Sequence, residues 1–414
     1  MLLLYTFVTR VFLGLAPLFK WTSPKFAKWV ATRGQWKEDT QSFKKTGKVV
    51  WFHCASVGEF EQARPLIEGM KKENESVQVI VTFFSSSGYE VRKDYALADV
   101  VTYLPADLPG RIQDFIECVQ PDLVVFVKYE FWFNTMEQLH KKSIPMILVS
   151  AYLTDRHWTT QWPGIYLGRR LNQFTRIFAQ DEATVKRLER IGIFDAVAVG
   201  DTRVDRVIYN AEQGFDLQGI ETFKGDNQLL VIGSNWPSDD GVILNVVKAR
   251  SDLKLIVAPH EVNAAQLAVW KRHFGSTLVK FSDIEQTPGW EKATVIYVDR
   301  IGLLSKLYRL GDAAYIGGGF GKAVHNTLEA SVYGIPVFFG PKNQRFQEVQ
   351  ELKVLGAGLE IDSEESFRNS LVKALDDAGF RKRVKEATEH YFERQRGAST
   401  AILSWVNDCI QDRD

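Results

Sequence analysis

The sequence has little cysteine, no excess of charge of either sign, and a single long apolar run. Its three cysteines, Cys54, Cys118 and Cys409, are odd in number and far apart, so neither a disulfide framework nor a zinc motif is readable, and a reducing cytosolic compartment fits best. Lys and Arg total 51, as do Asp and Glu, so global charge does not favour nucleic acid. The 45% hydrophobic content over 414 residues excludes a mainly disordered chain and predicts two or three domains.

The long apolar run forms the N-terminus, residues 1–19. Its only charge, Arg10, stands in the middle, whereas a signal peptide carries its charge before the apolar run. A central arginine costs a membrane-spanning helix about 2.5–3.5 kcal/mol, and the run is barely long enough to span. Drawn as a helix, its polar and small residues share one stripe, which favours a helix lying in the membrane interface. These residues are Thr6, Arg10, Gly14 and Pro17. A spanning helix and a buried helix of a soluble domain remain alternatives.

A basic stretch follows this run directly. Between Lys20 and Lys48, eight basic and two acidic residues give a net charge of +6. Basic residues next to an apolar segment are typical of proteins that bind an anionic membrane surface. We therefore expect the two segments to act together at such a surface.

After residue 48, short apolar runs alternate with amphipathic stretches such as Glu59–Glu73 and Leu108–Cys118, which we predict to be helices. Because several of the apolar runs lack polar alternation, they predict strands covered on both faces, as in a parallel βαβ sheet. The predicted strands are Val49–Cys54, Gln78–Phe83, Val100–Leu104, Leu123–Val127, Pro145–Ser150, Arg176–Ala179 and Ala196–Val199.

The same alternation restarts after a polar, glycine-containing stretch, residues 210–227, which we interpret as a linker. The predicted strands of this second half are Leu229–Gly233, Leu253–Ala258, Thr277–Phe281, Val295–Val298, Ala313–Ile316 and Pro336–Phe339, and a charged helical stretch, Phe380–Ile410, follows them. The fold class is therefore α/β, with two doubly wound, Rossmann-like domains that would face a cleft. The predicted segments are a membrane-associated helix over 1–19, a domain over 20–209, the linker, a domain over 228–390, and a helix over 391–414 whose packing against the first domain is left open.

In the second half, a glycine turn after an apolar strand could approach a nucleotide. Gly318 and Gly319 belong to the run Tyr315–Gly321, and Asn326 and Glu329 follow at the start of a predicted helix. Glycines permit close backbone approach, a helix N-terminus favours phosphate, and a carboxylate one turn further can accept hydrogen bonds from ribose hydroxyls. The alternative is a tight turn with a solvated glutamate. The spacing does not fit the dinucleotide-binding fingerprint.

Two further strand ends carry candidate donor-binding residues. Ser234 follows the first strand of the second half and could donate a hydrogen bond to phosphate or simply cap the next helix. His260 also ends a strand, where contact with a ligand and a structural role are equally open.

In the first half, Glu59 begins a helix directly after the first strand, where it could act as a general base or merely favour the helix N-terminus. Glu130 follows an apolar strand and, if buried, needs a partner such as Lys128 or an arginine. Arg203 lies after the last strand of this half.

The sequence has no Asp-x-Asp motif and no His/Cys/Asp cluster with ligand spacing, so we expect no metal dependence.

These motifs resemble those of the bacterial 3-deoxy-D-manno-octulosonic acid (Kdo) transferases. The resemblance rests on HCASVGEFEQARPLI, YLPADLPGRIQDFI, EFWFN, GDTRVDRV and YIGGGFGKAVHNTLEASVYGIPVFFGP, in matching order across nearly the whole chain. It implies a GT-B fold and transfer of Kdo from CMP-Kdo to a lipid A precursor, with inversion and without a metal or other cofactor. It also implies the cytoplasmic face of the inner membrane, with an N-terminal apolar anchor.

The resemblance also implies roles for single residues. Glu59 matches the catalytic base, Glu130 an acidic residue at the acceptor side, and Arg203 a basic position near the sugar donor. The positions that match the donor-nucleotide site are Ser234, His260, Gly318, Gly319, Asn326 and Glu329. A nucleotide-sugar 2-epimerase on the same scaffold is the main alternative, and a catalytically inactive lipid- or nucleotide-binding protein is a second.

Overall fold

The computed structural model describes residues 1–19, 21–213 and 219–411. The chain divides into two units, Met1–Asp205 with Gln395–Asp414, and Arg206–Arg394. Part of the linker predicted over 210–227 lies outside the described residues. Within the rest of that stretch, a helix runs into residue 212 and another begins at residue 220.

The first unit contains a parallel sheet of seven strands within the described residues, in the order β3-β2-β1-β4-β5-β6-β7. Its central strands are buried along their whole length and are mostly apolar, because helices cover both faces of the sheet. The strands are β1 Val49–Cys54, β2 Gln78–Phe83, β3 Val100–Tyr103, β4 Leu123–Val127, β5 Met146–Ala151, β6 Arg176–Ala179 and β7 Ala196–Ala198.

The helices of this unit begin where the sequence supplies caps. The side chain of Ser56, for example, accepts a hydrogen bond from the backbone N–H of Gly58 at the start of the fourth helix. The helices are α1 Leu2–Leu15, α2 Pro24–Thr32, α3 Trp36–Asp39, α4 Val57–Glu73, α5 Ser86–Arg92, α6 Pro109–Val119, α7 Phe133–Lys141, α8 Ile165–Gly168, α9 Glu182–Arg190 and α10 Thr202–Glu212.

Helix α1 bonds two of its polar side chains to the protein and leaves several apolar side chains, and Arg10, exposed. The Tyr5 hydroxyl donates to Oδ2 of the buried Asp107 at 2.7 Å, and the Thr6 hydroxyl donates to Oδ1 of the buried Asn134 at 2.7 Å. On the other side, Leu3 and Phe7 are 86% and 64% exposed. Among the described residues, Leu2–Phe19 is the one helical segment long and apolar enough to cross a membrane.

The basic stretch after α1 is partly internal. The guanidinium of Arg33 is buried, lies 4.4 Å from the ring centroid of Trp29, and donates to the backbone carbonyls of Leu104 and Phe84. Burial lowers the pKa of Arg33 to about 10. Its charge therefore supports the fold rather than a membrane contact.

The second unit repeats the architecture, with a parallel sheet of seven strands among its described residues in the order β10-β11-β9-β8-β12-β13-β14. The strands are β8 Gln228–Asn235, β9 Leu253–Pro259, β10 Leu278–Lys280, β11 Val295–Tyr297, β12 Ala313–Ile316, β13 Val337–Phe339 and β14 Gly358–Glu360. The helices are α11 Ile220–Lys224, α12 Pro237–Lys248, α13 Ala264–Phe274, α14 Leu304–Leu307, α15 Leu328–Ser331, α16 Gln347–Val354, α17 Glu364–Asp376 and α18 Ala378–Gln395.

The C-terminal stretch predicted as helical forms two helices, which are separated at Gly397 with a φ of +102°. The second, α19 Ala398–Gln411, belongs to the first unit. Its buried residues Ile402, Val406 and Ile410 pack in one core with α4.

The two parallel, doubly wound sheets confirm the predicted α/β fold class. The helix expected after Asn326 is present as the single turn α15, and strand β14 was not predicted.

Candidate active site

The first unit places Glu59 and Glu130 at the carboxyl edge of its sheet, on either side of the point where the strand order reverses. The chain proceeds from β1 to β2 on one side and reaches β4 on the other. Ligands of doubly wound sheets bind at such a switch point, outside the carboxyl ends of the strands. Glu59 lies in the first turn of α4, after β1, and Glu130 lies after β4.

The Glu59 carboxylate is oriented by its own helix cap. Ser56 caps α4 through its side-chain oxygen, and its hydroxyl donates to Oε2 of Glu59. Glu59 is half-buried. One carboxylate oxygen is thus fixed by a donor, and Oε1 is the oxygen left to take a proton.

Glu130 is held by an aromatic residue rather than by the expected cation. Its Oε2 accepts a hydrogen bond from the indole Nε1–H of Trp132 at 3.1 Å. Lys128, which the sequence offered as a partner, instead places its Nζ 5.2 Å from the ring centroid of Tyr129. The partner of Glu130 is therefore the Trp132 indole, and not Lys128, which was one of the possible partners.

His53 is a site residue that the sequence analysis missed. It is fully buried near the end of β1, and its Nε2 lies 2.8 Å from Nε1 of Trp132 and 3.8 Å from Oε2 of Glu130. Its Nδ1 lies 2.9 Å from Oγ1 of Thr82 on β2. A histidine inside an otherwise apolar strand was the available signal.

Strained backbone marks three of the strand ends. Lys128 after β4, Ser150 within the end of β5, and Ser234 near the end of β8 have φ values of 69°, 50° and 52°. Left-handed φ at non-glycine residues costs about 1–3 kcal/mol and is concentrated at functional sites. The strain therefore lies at the edges where the candidate residues were predicted.

Arg203 is tied to a buried carboxylate. Its Nε and one terminal nitrogen donate to Oδ2 of Asp201 at 2.9 and 2.7 Å, while Gln62 of α4 donates to Oδ1. Burial alone would raise the pKa of Asp201, but the charge and hydrogen bonds of Arg203 outweigh it and hold that pKa below its usual value. These hydrogen bonds fix the orientation of the Arg203 guanidinium, which lies after β7 in the chain.

In the second unit, Ser234, the glycine turn and His260 follow adjacent strands. β8 pairs with β12 on one side and β9 on the other, so the switch point lies between β8 and β12. Ser234 ends β8, Gly318 and Gly319 follow β12, and His260 follows β9. The structure thus brings these predicted donor-binding residues to one edge.

Three rings stack at this edge. The ring centroid of His260 lies 4.5 Å from that of Trp236 and 4.3 Å from that of His325, and the Trp236 indole donates to Nε2 of His325 at 3.0 Å. Burial, with a smaller contribution from His260, lowers the pKa of His325 to about 4, so this ring is neutral at pH 7. The sequence analysis did not identify Trp236 or His325.

The glycine turn is required by close packing as well as by any ligand. A Cβ at Gly317 would lie 2.2 Å from the carbonyl oxygen of Ser234, and one at Gly319 would lie 2.5 Å from the backbone nitrogen of Gly340. Gly318 has a φ of +92°, and its N–H donates to the buried carboxylate of Asp239 at 3.0 Å. Packing alone therefore accounts for these glycines, and their contact with a donor stays a prediction.

Asn326 and Glu329 form a local pair. The Asn326 side-chain amide donates to Oε1 of Glu329 at 3.0 Å, and its Oδ1 accepts from the backbone N–H of Leu328. Burial, and to a lesser extent the nearby charge of Glu329, raises the pKa of Tyr308. The Glu329 carboxylate is thus oriented at the one-turn helix α15.

Across residues 1–19, 21–213 and 219–411, no group of three or more His, Cys, Asp or Glu side chains could hold a metal ion. Metal independence stays a prediction.

Comparisons with known proteins agree on a family. Residues 29–206 match the family model described as 3-deoxy-D-manno-octulosonic-acid transferase (kdotransferase). The 3-deoxy-D-manno-octulosonic acid transferase of Aquifex aeolicus is 29% identical over 344 residues, which cover 81% of this chain and 88% of that protein. A bifunctional glycosyltransferase/methyltransferase of Fusobacterium nucleatum is 27% identical over 379 residues, which cover 88% of this chain but only 58% of that protein.

Solved structures give the fold. The UDP-GlcNAc 2-epimerase of Neisseria meningitidis, solved with UDP-GlcNAc, matches with a TM-score of 0.60 and 16% identity over 87% of this chain and 100% of that chain. Glycosyltransferases are among the other similar structures, which confirms the GT-B fold. Because transferases and epimerases share this fold, the sequence relatives and the family model distinguish between them: residues 29–206 match the Kdo transferase family, the relatives are similar over most of the chain, and both support a glycosyltransferase.

Proposed function

We propose that this chain transfers Kdo from CMP-Kdo to a lipid A precursor. The observation that carries the proposal is the pair of carboxylates, Glu59 and Glu130, on either side of the switch point of the first sheet in a chain similar to this family. Relatives from several bacteria bear the name of this transferase, which supports the choice of sugar.

The second unit binds the CMP part of the donor in this proposal. Ser234 and the turn at Gly318 and Gly319 lie at adjacent strands beside the switch point and receive the phosphate, because glycines permit close approach of the ligand to the backbone. Glu329, oriented by Asn326, accepts hydrogen bonds from the ribose hydroxyls. His260 lies at the same edge and contributes the face of its imidazole ring to the donor-binding site. Arg203 of the first unit keeps its predicted role towards the sugar of the donor.

Glu59 is the general base of the proposed reaction. An acceptor hydroxyl is a poor nucleophile until its proton is removed, and Oε1 of Glu59 can take that proton while Ser56 holds Oε2. The hydroxyl oxygen then bonds to the anomeric carbon of Kdo as the bond from that carbon to the CMP phosphate breaks. One displacement inverts the anomeric centre. Glu130 orients the acceptor.

The leaving phosphate gains charge in this step, and the chain's own donors can stabilise it. The hydroxyl of Ser234 and the guanidinium of Arg203 are the donors proposed for that purpose. We therefore propose a metal-independent reaction without a cofactor.

We further propose that α1 places the protein on the cytoplasmic face of the inner membrane. Leu3 and Phe7 of α1 are exposed, as is the charged Arg10, while the polar residues Tyr5 and Thr6 are bonded to the protein. That arrangement supports a helix that lies in an anionic interface with one face in lipid. A spanning helix would have to give up both hydrogen bonds.

The test is a product analysis with the full chain, CMP-Kdo and a dispersed lipid A precursor. We expect mass spectrometry to show an acceptor heavier by Kdo, NMR to show the inverted anomeric configuration, and excess EDTA to leave the rate unchanged. A parallel incubation with UDP-GlcNAc tests the epimerase alternative. Epimerised UDP-GlcNAc without Kdo transfer would overturn the proposal, and loss of activity in EDTA would overturn its metal-independent part.

A further inference from the structure

One indole N–H lies between two acceptors at the edge of the first sheet. Nε1 of Trp132 is 2.8 Å from Nε2 of His53 and 3.1 Å from Oε2 of Glu130, and those two acceptor atoms are 3.8 Å apart. His53 has no exposed side-chain surface, whereas 15% of the Glu130 side chain is exposed. Trp132 thus links a core histidine to a carboxylate that reaches solvent.

The hydrogen-bond roles in this group fix the state of the histidine. An indole N–H can only donate, so Nε2 of His53 accepts and the ring proton lies on Nδ1. That proton points to Oγ1 of Thr82, 2.9 Å away, which also accepts from the indole of Trp51 at 2.8 Å. The Thr82 hydroxyl proton in turn faces the carbonyl oxygen of Phe52 at 3.5 Å. One neutral tautomer therefore satisfies every donor, and two strands hold the ring in place.

The segment that carries Glu130 needs such support. Residues 129–132 belong to neither a strand nor a helix, and they follow Lys128, whose φ is 69°. Trp132 packs on Phe84, with ring centroids 4.9 Å apart, so its indole is restrained from a second side. The carboxylate of Glu130 is therefore directed by a ring whose own position depends on His53.

We propose that His53 is a positioning residue for the transfer reaction: it holds the indole of Trp132, and the indole holds the Glu130 carboxylate towards the acceptor. The inference rests on the proposed function for its effect on turnover, but the hydrogen bond can be tested without any substrate. A purely structural histidine would affect stability and would leave the indole N–H and the turnover of the folded protein unchanged.

Two substitutions of His53 separate its two hydrogen bonds. In His53→Gln the side-chain amide oxygen reaches the place of Nε2 and can still accept from Trp132. In His53→Asn the amide reaches only the place of Nδ1, so the contact with Thr82 is kept and the acceptor for Trp132 is lost. Trp132→Phe removes the N–H itself and keeps most of the ring packing, so it tests the same bond if His53→Asn does not fold.

The first measurement is the indole ¹H–¹⁵N spectrum of the full-length protein, with the Trp132 signal assigned by its absence in Trp132→Phe. We expect that signal to move upfield and to exchange faster with solvent in His53→Asn, and to stay near its original position in His53→Gln. An unchanged Trp132 signal in His53→Asn would overturn the inference.

The second measurement is the rate of Kdo transfer at saturating donor and acceptor. Loss of positioning at a reacting group can cost up to about a hundredfold, so we expect kcat to fall about 10- to 100-fold in His53→Asn and in Trp132→Phe, with the KM for CMP-Kdo unchanged. His53→Gln should restore most of the loss. In the Trp132→Phe background, His53→Asn should cause no further loss, because the N–H through which it acts is gone. Equal losses in both backgrounds would refute the link through Trp132.

Trp270→Phe is the matched control for loss of a buried indole donor. Trp270 is buried in the second unit, and its Nε1 donates to Asp240 at 3.2 Å. We expect that variant to lose stability and to keep kcat.

If the wild-type chain transfers no Kdo, the proposed function and the catalytic effect fail together, while the indole signal still decides whether the hydrogen bond exists. If the wild type is active and His53→Asn keeps full kcat, the positioning role alone is overturned.

Discussion

Replacing Glu59 by glutamine separates its proposed role as a base from its role at the start of a helix. The glutamine amide oxygen can still accept from the Ser56 hydroxyl, so the cap of α4 is kept. What is lost for folding is one negative charge at a helix N-terminus, which contributes about 0.3–1 kcal/mol. We therefore expect the free energy of unfolding to fall by no more than about 1 kcal/mol.

The effect on turnover should be much larger. General-base catalysis contributes about 10²- to 10⁴-fold, which corresponds to about 2.7–5.5 kcal/mol in activation free energy. We expect Glu59→Gln to lose at least about a hundredfold in kcat and to bind CMP as the wild type does. The assay is the initial rate of Kdo transfer to a dispersed acceptor, with urea unfolding and CMP calorimetry on the same samples.

Glu68→Gln is the matched control, because it makes the same chemical change on the same helix. Glu68 is paired with Arg64 at 2.7 Å, with both side chains partly exposed, and its loss should leave kcat unchanged. Normal turnover in Glu59→Gln together with an inactive Glu130→Gln would show that the two carboxylates have exchanged roles. Turnover in both variants would refute our assignment of the base.

Three further predictions address the second unit and the membrane. Glu329→Ala removes a charged acceptor, so CMP affinity measured by calorimetry should fall about 10- to 150-fold, and an unchanged affinity would refute the ribose assignment. Burial lowers the pKa of His325 in the folded protein to about 4. As the pH falls from about 6.5 to about 4, the unfolded chain therefore binds a proton at this residue that the folded protein does not bind, so the free energy of unfolding should decrease over this range. In His325→Gln, urea unfolding should show a smaller decrease over this range, with a dependence on pH that is reduced by up to one proton. An equal pH dependence in both proteins would contradict the lowered pKa of His325. Phe7→Ser should weaken co-sedimentation with anionic vesicles about 10-fold or more, since burying a phenylalanine side chain contributes about 1.5–3 kcal/mol, and unchanged binding would show that α1 does not contact lipid.

Long apolar strands were predictable because their whole environment is apolar. Val49–Cys54 and Ala313–Ile316 were predicted with the bounds that the structure has, since strands buried on both faces admit few polar residues. Gly358–Glu360 was missed because a strand of three residues that ends in a glutamate gives no such pattern. The helix expected after Asn326 has one turn, Leu328–Ser331, and Gly334 with a φ of +73° lies in the turn that follows it.

Side-chain partners at the site were less predictable, because they depend on which strands pair. The placement of Glu59 and Glu130 on one edge followed from their positions after two strands. The contact of Trp132 with His53 required β1 and β4 to be neighbours, which spacing along the chain does not reveal. The basic stretch was interpreted by charge alone, whereas Arg33 lies under aromatic rings.

Helix α19 makes the first unit discontinuous in the order of synthesis. Ile402, Val406 and Ile410 complete the core around α4, yet the 189 residues of Arg206–Arg394 are translated before them. At about 5–20 residues per second, the ribosome needs about 10–40 s for that stretch. During this interval α4 exposes the apolar surface that α19 later covers, and transiently exposed apolar surface of this kind favours aggregation. A fragment that ends near residue 206 would stay in that unfinished state.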